Sequence, residues 1–413
     1  MKRLLYLWVV TKLGRILAIF SILGLAACSR DSIWSAYDCP NPGWRQPTED
    51  PGFDNVFIIY CAAYNNLQSD ININLSELCE GYVPGPNAKD AIVVFNHSSV
   101  SDYDHTIPTN PVLYRIYNNG DGVVRDTLKI YGSDVCSADP STVKDVMMLV
   151  RDKFPAGHYG FLISSHGTGW LPPQYETGSE TRSRPAASAA PTAVGVQQGE
   201  HENVWMSSHE LAEALPFHLD YILFDACLMS SIEVIYEFRE KCDYIVAAPT
   251  EVLSSGFVYE KMTQHLMGGG GPDLEAVCSD LVAMRTSATV ALIDCSKVEP
   301  VADACRTIFS NHASCILDIS EKAIQSYNVT FDYNYDLRDM CRVMGAGQSE
   351  LDALDAALRE CIPYKNSTLY FLSRKIDPER FCGVSSYLPR RSSPILNGLY
   401  RQTEWNRRTG LLK

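Results

Sequence analysis

Short apolar runs alternate with amphipathic segments along most of the chain. Continuous apolar runs are typical of strands that are buried on both faces. They predict strands at residues 56–63, 91–95, 159–165, 221–224, 244–249 and 288–294, and a last strand is predicted at 383–389. Apolar residues at helical spacing predict helices near residues 140–153, 207–215, 228–240, 273–285, 297–318 and 348–361. The alternation predicts an α/β fold with a mainly parallel central sheet flanked by helices.

Two local signals sharpen this picture. Residues 111–117 alternate between apolar and polar positions and are followed by an Asn-Asn-Gly-Asp-Gly turn, so we expect a hairpin strand there. The helix at 140–153 follows the segment from Ser137 to Asp139, whose short polar side chains predict the N-cap.

The first 27 residues have the pattern of an export signal. They contain four basic residues and no acid, and residues 16–27 form an apolar stretch that is too short to span a bilayer comfortably. The segment from Leu25 to Cys28 resembles a bacterial lipoprotein processing site, which implies cleavage before Cys28 and lipidation of that cysteine. The alternative is an ordinary signal peptide with an incidental cysteine. Either interpretation predicts export to the bacterial cell envelope, and the first adds a lipid anchor.

Two segments have the composition of linkers. Residues 28–52 are rich in proline and predict a tether between the membrane and the folded part. Residues 171–203 are rich in Pro, Ala, Ser, Thr and Gly without an apolar period, which predicts a flexible insertion.

Composition narrows the functional classes. The chain has 413 residues, and its 49 acidic against 35 basic residues give a net charge of −14. Loss of residues 1–27 lowers that charge to −18, because four basic residues are removed. Nucleic acid is therefore excluded as the main partner, since phosphate contacts need a basic surface. The fourteen cysteines have irregular spacing without a Cys-x-x-Cys pair, so neither a structural metal site nor a particular disulfide is predicted.

Reactive residues follow two of the predicted strands. One strand runs into Ser165-His166-Gly167-Thr168-Gly169-Trp170, and another runs into Asp225-Ala226-Cys227-Leu228-Met229-Ser230. Sites in open α/β sheets form beyond the carboxyl ends of strands. If the two strands are neighbours, His166 and Cys227 lie on adjacent loops, which is the arrangement that a thiol nucleophile and its base require.

The surrounding residues suit the same chemistry. The absence of a side chain at Gly167 lets a substrate carbonyl approach the backbone, and the N–H groups of Gly167 and Cys227 are candidate oxyanion donors. Cys227 also precedes the predicted helix 228–240, and a helix N-terminus lowers the pKa of a thiol.

Each residue also has a structural interpretation. A cysteine after an apolar strand is usually part of the core, and His-Gly-x-Gly is a common turn. Asp225 is well placed to cap the following helix. The functional interpretation therefore depends on both loops occurring together, each at the end of a strand.

These two loops resemble those of the clostripain family of cysteine peptidases. Residues 165–170 resemble the family's histidine loop, and residues 225–230 resemble its nucleophile loop. Residues 57–67, 155–159 and 383–389 are similar to further family segments. The resemblance implies a caspase-like sandwich, with a peptidase core at 53–300 and a C-terminal α/β extension at 301–413 packed on it. It also implies that Cys227 is the nucleophile, that His166 is the general acid/base, and that no organic cofactor is required.

The resemblance also predicts a substrate specificity, although the chain departs from the family pattern in two loops. Family members cleave after Arg or Lys, and the acid two residues before the nucleophile, here Asp225, is linked to that preference; helix capping is the alternative role. Tyr64 stands where the family often has an acid, and Glu251 lies in a loop that carries an acid in some members. Some family members depend on calcium, so calcium is a candidate activator, but no loop of EF-hand type is present and no ligands are named.

The resemblance also predicts how the chain matures, and the sequence leaves more than one function open. The family commonly matures by self-cleavage between the histidine and the cysteine. The insertion there has two basic residues, Arg182 and Arg184, and Arg184 precedes a proline, so Arg182 is the predicted cleavage site. The main hypothesis is an exported, lipid-anchored endopeptidase acting on peptides or proteins. Alternatives are an inactive surface lipoprotein that binds a protein or glycan, and a transpeptidase that uses the same acyl-enzyme.

Overall fold

The apolar runs form a nine-stranded central sheet in the computed structural model of the protein. The structure describes residues 52–98, 110–172, 193–197, 204–268, 270–328 and 333–413. The strands in these ranges are β1 (Phe53–Ala62), β2 (Asp90–His97), β3 (Val112–Asn118), β4 (Val123–Ile130), β5 (Ala156–Ser164), β6 (Gly167–Gly169), β7 (Ala193–Val194), β8 (Val196–Gln197), β9 (Val204–Trp205), β10 (Leu219–Asp225), β11 (Cys242–Ala247), β12 (Thr289–Asp294), β13 (Asn334–Asp336), β14 (Tyr364–Ser367), β15 (Tyr370–Phe371), β16 (Arg374–Lys375) and β17 (Ser385–Tyr387).

The middle of the sheet is parallel and its edges are antiparallel. The sheet order is β14-β12-β11-β10-β5-β1-β2-β3-β4. The five strands from β11 to β2 pair in parallel. On the outside, β3 and β4 form the antiparallel hairpin that the Asn-Asn-Gly-Asp-Gly turn predicts, and β12 and β14 close the other edge. The predicted α/β fold with a mainly parallel core is therefore confirmed.

Helices cover both faces of the sheet. Within the described ranges they are α1 (Gln68–Glu80), α2 (Pro140–Lys153), α3 (Ser208–Ala214), α4 (Ile232–Phe238), α5 (Tyr259–Leu266), α6 (Leu274–Met284), α7 (Val298–His312), α8 (Leu337–Val343), α9 (Gln348–Cys361), α10 (Pro394–Tyr400) and α11 (Glu404–Thr409). Alternate residues of β1 enter two separate cores, with Val56 and Ile58 in one and Phe57 and Ile59 in the other. The first core packs under α2, α3, α4, α7 and α9, and the second packs under α1, α5 and α6.

Two helices form as the sequence predicts. Helix α2 has the predicted bounds, and the side chain of Asp139 caps it by accepting a hydrogen bond from the Ser141 N–H at 2.7 Å. Helix α9 also matches its predicted bounds of 348–361, because its buried leucines recur at helical spacing.

The predicted helix at 228–240 is wrong at its start. Helix α4 begins only at Ile232, after Ser231 as N-cap. Leu228 has a φ of 65°, a left-handed conformation that residues of a right-handed helix do not adopt. The chain therefore forms a turn at Leu228 before the helix begins. Cys227 is therefore not at a helix N-terminus, and the expected effect of a helix dipole on its thiol does not apply.

Other boundaries also differ from the predictions. The predicted helix 297–318 ends at His312 and continues as a 3₁₀ turn. Part of the predicted flexible insertion 171–203 is ordered, because residues 193–197 form β7 and β8, which pair with β6 and β9. The Gly195 N–H also donates to the His166 carbonyl oxygen at 3.0 Å. These short strand pairs provide backbone hydrogen bonds for residues 193–197, and the amino-acid composition of the segment does not predict them.

The C-terminal segment contributes directly to the sheet and to the turn after Cys227. Strand β14 is an edge strand of the central sheet, and the Ser385 N–H donates to the Ser230 carbonyl oxygen at 2.9 Å. The buried carboxylate of Glu233 accepts hydrogen bonds from Ser386 Oγ and the Tyr387 N–H. None of the helices in the described ranges is both long and apolar enough to cross a membrane.

Candidate active site

The pairing of β5 with β10 brings the two candidate loops together. Ser164 lies opposite Asp225 in the parallel register of these neighbouring strands. His166 and Cys227 each follow that pair by two residues, so they leave the same edge of the sheet side by side. Both are half-buried, whereas most of their neighbours in the two loops are buried. This is the juxtaposition that the sequence predicts for a nucleophile and its base.

The backbone of the histidine loop lies against the backbone of the cysteine loop. A Cβ atom at Gly167 would lie 2.7 Å from the carbonyl oxygen of Cys227 and 3.2 Å from its nitrogen. A Cβ atom at Gly169, whose φ is 61°, would lie 2.7 Å from the Leu228 carbonyl oxygen. Only glycine fits at either position, so both glycines are needed for the approach of the two loops.

An amide fixes the imidazole of His166. Nε2 of His166 lies 2.6 Å from Oδ1 of Asn66, in the loop that follows β1. An amide oxygen only accepts hydrogen bonds, so Nε2 carries the proton, and Nδ1 is the acceptor in the neutral ring. Burial lowers the pKa of His166 below its ordinary value of 6.5. The ring is therefore neutral near pH 7 and has a free lone pair, as a general base requires.

The thiol of Cys227 contacts the loop that follows β11. The Val252 N–H donates to Sγ of Cys227 at 3.3 Å. The Leu228 N–H donates to the Thr250 carbonyl oxygen, and the Ser230 N–H donates to that of Ala248. These bonds hold the turn after Cys227 and keep the sulfur at the edge of the sheet rather than in the core.

The histidine loop is anchored by its last residue. Trp170 is fully buried, and its ring packs 4.3 Å from that of Tyr387 and 5.4 Å from that of Tyr400, measured between centroids. Both tyrosines belong to the C-terminal segment. The segment that follows the predicted catalytic core therefore holds the position of His166.

Asp225 is buried beneath the loop that contains Gly256. Its carboxylate accepts hydrogen bonds from Ser164 Oγ at 3.0 Å and Tyr259 OH at 2.7 Å, and its residue is 6% exposed. Burial raises the pKa of Asp225, and these hydrogen bonds oppose that rise. Asp225 does not cap α4, which begins seven residues later, so the helix-capping alternative is wrong.

A narrow cavity adjoins the nucleophile. Its wall contains Glu251, Val252, Leu253, Gly256, Leu281, Arg285, Ser287, Ala288 and Thr289. Val252, in this wall, is the residue whose N–H reaches the thiol, and the free space inside the cavity is about 10 Å³, roughly the room for one water molecule. Tyr64 stands where the family that the sequence resembles often has an acid. It is buried and stacks on His97 with ring centroids 5.0 Å apart.

Two predicted modification sites lie outside the described residues, namely Cys28 and Arg182. Across the described ranges, no three His, Cys, Asp or Glu side chains are grouped so that they could share a metal ion. The role of calcium as an activator therefore stays a prediction without ligands.

Sequence reasoning did not assign roles to three contributors. Asn66 orients the imidazole, Tyr259 bonds Asp225, and Arg285 lines the cavity. Asn66 follows a strand predicted for the same sheet, so a search for polar residues at that edge would have found it. Nothing local marks Tyr259 or Arg285, because both come from helices whose packing on the site is set by the tertiary fold.

Comparison with known sequences agrees with this geometry. The clostripain family matches residues 59–375 of the chain. Clostripain from Hathewaya histolytica is 25% identical over an alignment of 239 positions, and the match covers 53% of this chain. The match spans 43% of that protein, less than half of its length.

Solved structures share the fold. An inactive zymogen of a protease of this family from Parabacteroides distasonis superposes with a TM-score of 0.73 and 24% identity, covering 88% of this chain and 99% of that one. A secreted protease of the family from Bacteroides thetaiotaomicron, in complex with an irreversible peptide inhibitor, has a TM-score of 0.70 and 23% identity. That likeness covers 86% of this chain and 99% of the other. At these identities the structures establish the fold alone.

The pKa of His166 is expected to lie below the ordinary histidine value of 6.5, and the pKa of His158 is expected to lie above it. Burial lowers the pKa of His166, whereas the hydrogen bond that His158 donates to Asp220 raises the pKa of His158. In an Asn66→Asp variant, a carboxylate replaces the amide and favours the imidazolium, so the pKa of His166 rises. NMR of the protein with ¹³C-labelled histidine rings measures both pKa values, and His158 is the internal control. A His166 pKa at or above 6.5 in the wild type would contradict this account.

Proposed function

Since the chain belongs to the clostripain family of cysteine peptidases, we propose that it is an exported, lipid-anchored endopeptidase that cleaves peptides or proteins after arginine or lysine. The reaction uses Cys227 as nucleophile and His166 as general acid/base. The observation that carries this proposal is the register of β5 and β10, in which both residues follow the paired Ser164 and Asp225 by two positions.

The proposed reaction passes through an acyl-enzyme. Nδ1 of His166 accepts the thiol proton while Sγ of Cys227 attacks the scissile carbonyl carbon. The negative charge on the carbonyl oxygen is stabilised by the N–H groups of Gly167 and Cys227. The intermediate collapses as His166 gives its proton to the leaving amine, which leaves a thioester. Water then attacks the thioester with His166 as base, which releases the carboxylic acid and restores the thiol.

Preference for a basic residue at P1, on the amino side of the scissile bond, is proposed to come from carboxylates beside the nucleophile. Asp225 is one, and Glu251, in the cavity wall, is the second. A carboxylate in a water-poor pocket pairs strongly with a guanidinium or an ammonium group. The hydrogen bonds from Ser164 and Tyr259 support an ionised Asp225 despite its burial.

Peptidase activity is expected to depend on the thiol of Cys227 and on the charge at P1. Fluorogenic peptides that end in Arg, Lys or citrulline, the uncharged analogue of arginine, are assayed under reducing conditions with and without calcium. Replacing Cys227 by Ala removes the nucleophile and lowers kcat/KM by about 10³-fold or more. Arg and Lys substrates are cleaved about tenfold or more faster than citrulline, because a buried ion pair is lost.

The matched control is Cys79→Ala, which removes a half-buried thiol in α1 outside the site. It should keep wild-type activity and its sensitivity to iodoacetamide. No cleavage of any substrate by the wild type would instead support the alternative of an inactive surface lipoprotein that binds a protein or glycan.

We also propose self-processing within residues 171–203, after Arg182. Mass spectrometry of the purified protein is expected to show a cut there, which is absent from the Cys227→Ala and Arg182→Gln variants. Arg184→Gln is the matched control and should still be cut, because Arg184 precedes a proline and is a poor cleavage site. An intact wild-type chain, or the same fragments in wild type and Cys227→Ala, would refute the proposal.

Lipidation of Cys28 is the proposed link to the membrane. After expression in a bacterium fed an alkyne-tagged fatty acid, the wild type should carry the label and partition into detergent. Cys28→Ser should do neither, because it lacks the thiol that is acylated. Cys39→Ser, eleven residues further along the predicted tether, is the matched control and should behave as the wild type. Label that persists in Cys28→Ser would exclude the anchor.

A further inference from the structure

Arg285 stands in the wall of the cavity that adjoins Cys227. It follows α6 and is mostly buried, with its side chain 17% exposed. The same wall contains Val252, whose N–H contacts the thiol, and Glu251, one of the proposed P1 carboxylates. A P1 side chain has to widen this cavity, whose free space is about 10 Å³, and it then meets a fixed guanidinium as well as a carboxylate.

The guanidinium binds three consecutive carbonyl groups. Nε of Arg285 donates to the Gly256 oxygen at 3.0 Å, and Nη2 donates to the Ser255 and Phe257 oxygens at 2.9 and 2.6 Å. Because the guanidinium is planar and rigid, these bonds fix both the turn and the guanidinium itself. Arg285 cannot swing away from the cavity without breaking all three.

The same turn separates Arg285 from Asp225. Gly256 has a φ of 55°, and a Cβ atom on it would lie 2.6 Å from Oδ2 of Asp225. The backbone of one residue therefore lies between the carboxylate and the guanidinium. Burial raises the pKa of Asp225, and the charge of Arg285, across this short gap, is one of the causes that oppose the rise. On its other side, Nη2 of Arg285 lies 3.9 Å from a carboxylate oxygen of Glu77.

We infer that Arg285 is a specificity-determining residue whose fixed positive charge opposes a basic P1 side chain and limits the preference conferred by Asp225 and Glu251. This inference rests on the proposed peptidase function. Two carboxylates without a cation would select strongly for Arg or Lys. Arg285 lies in the cavity wall with Glu251, and only the backbone of Gly256 separates it from Asp225, so its charge offsets part of their negative charge at the cavity. Uncharged side chains that form hydrogen bonds, such as that of glutamine, are then tolerated.

The test compares Arg285→Gln with Arg285→Lys on peptides that differ only in arginine or citrulline at P1. The Gln variant loses the charge but keeps amide donors for the turn, whereas the Lys variant keeps the charge and loses the planar fork. The readout is the ratio of kcat/KM for the two peptides, which does not depend on the fraction of folded enzyme. We expect Arg285→Gln to raise this ratio about tenfold, because removing one like charge a few ångströms away is worth that much. The ratio of Arg285→Lys stays within about twofold of the wild type.

Controls separate this inference from its premise. Arg391→Gln, which removes an exposed arginine paired with Asp318, should leave both rates unchanged. If Arg285 only fixes the turn, both variants lower the two rates in parallel without changing their ratio, and the inference is overturned. A ratio that falls in Arg285→Gln overturns it as well. A wild type that cleaves neither peptide overturns the proposed function and this inference together, whereas active variants with an unchanged ratio overturn only the role of Arg285.

Discussion

The active site depends on the close approach of two backbone segments, the histidine loop at 166–169 and the turn at 226–228. Neither Gly167 nor Gly169 has room for a Cβ atom, because the carbonyl oxygens of Cys227 and Leu228 occupy that space. The turn also holds Leu228 at a φ of 65°, and this left-handed conformation destabilises the fold by about 1 kcal/mol for a residue with a side chain. The bond from the Leu228 N–H to Thr250 helps to offset that cost. This geometry holds Cys227 and His166 on adjacent loops at one edge of the sheet, with the sulfur against Val252 and not in the core.

The C-terminal third of the chain supports this arrangement from outside the sheet. Trp170, the last residue of the histidine loop, packs against both Tyr387 and Tyr400. The turn after Cys227 is bonded to the same segment, because Ser230 Oγ donates to the Gly383 carbonyl oxygen at 2.7 Å. A single segment thus contacts both loops. The relative position of His166 and Cys227 is therefore set by the sheet and maintained by residues far away in sequence.

The sequence predicts those features that local pattern determines. Helix α2 and its Asp139 cap follow from apolar periodicity and a capping side chain, and the buried strands follow from their apolar runs. The helix expected directly after Cys227 fails because the left-handed φ of Leu228 is imposed by long-range contacts with the loop after β11. Asn66 follows a predicted strand of the same sheet and could have been found there, whereas Arg285 reaches the site only through tertiary packing, so no spacing in the sequence reveals it. The placement of His166 and Cys227 on neighbouring loops could be predicted because each is a reactive residue that directly follows a predicted strand.

Two electrostatic effects of different range act on a substrate, and they need not agree. The acidic chain attracts basic peptides over long distances, but salt screens that attraction beyond about 8 Å at physiological ionic strength. At the cavity the balance is set by a few groups, namely Glu251 and Arg285 in its wall and Asp225 behind the backbone of Gly256. The net charge therefore affects the rate at which basic peptides associate with the protein, whereas Arg285 affects which P1 side chain binds. Because Arg285 is tied to three carbonyl groups, it cannot yield to a substrate as a mobile surface charge would, and selectivity becomes a property of the turn at Gly256.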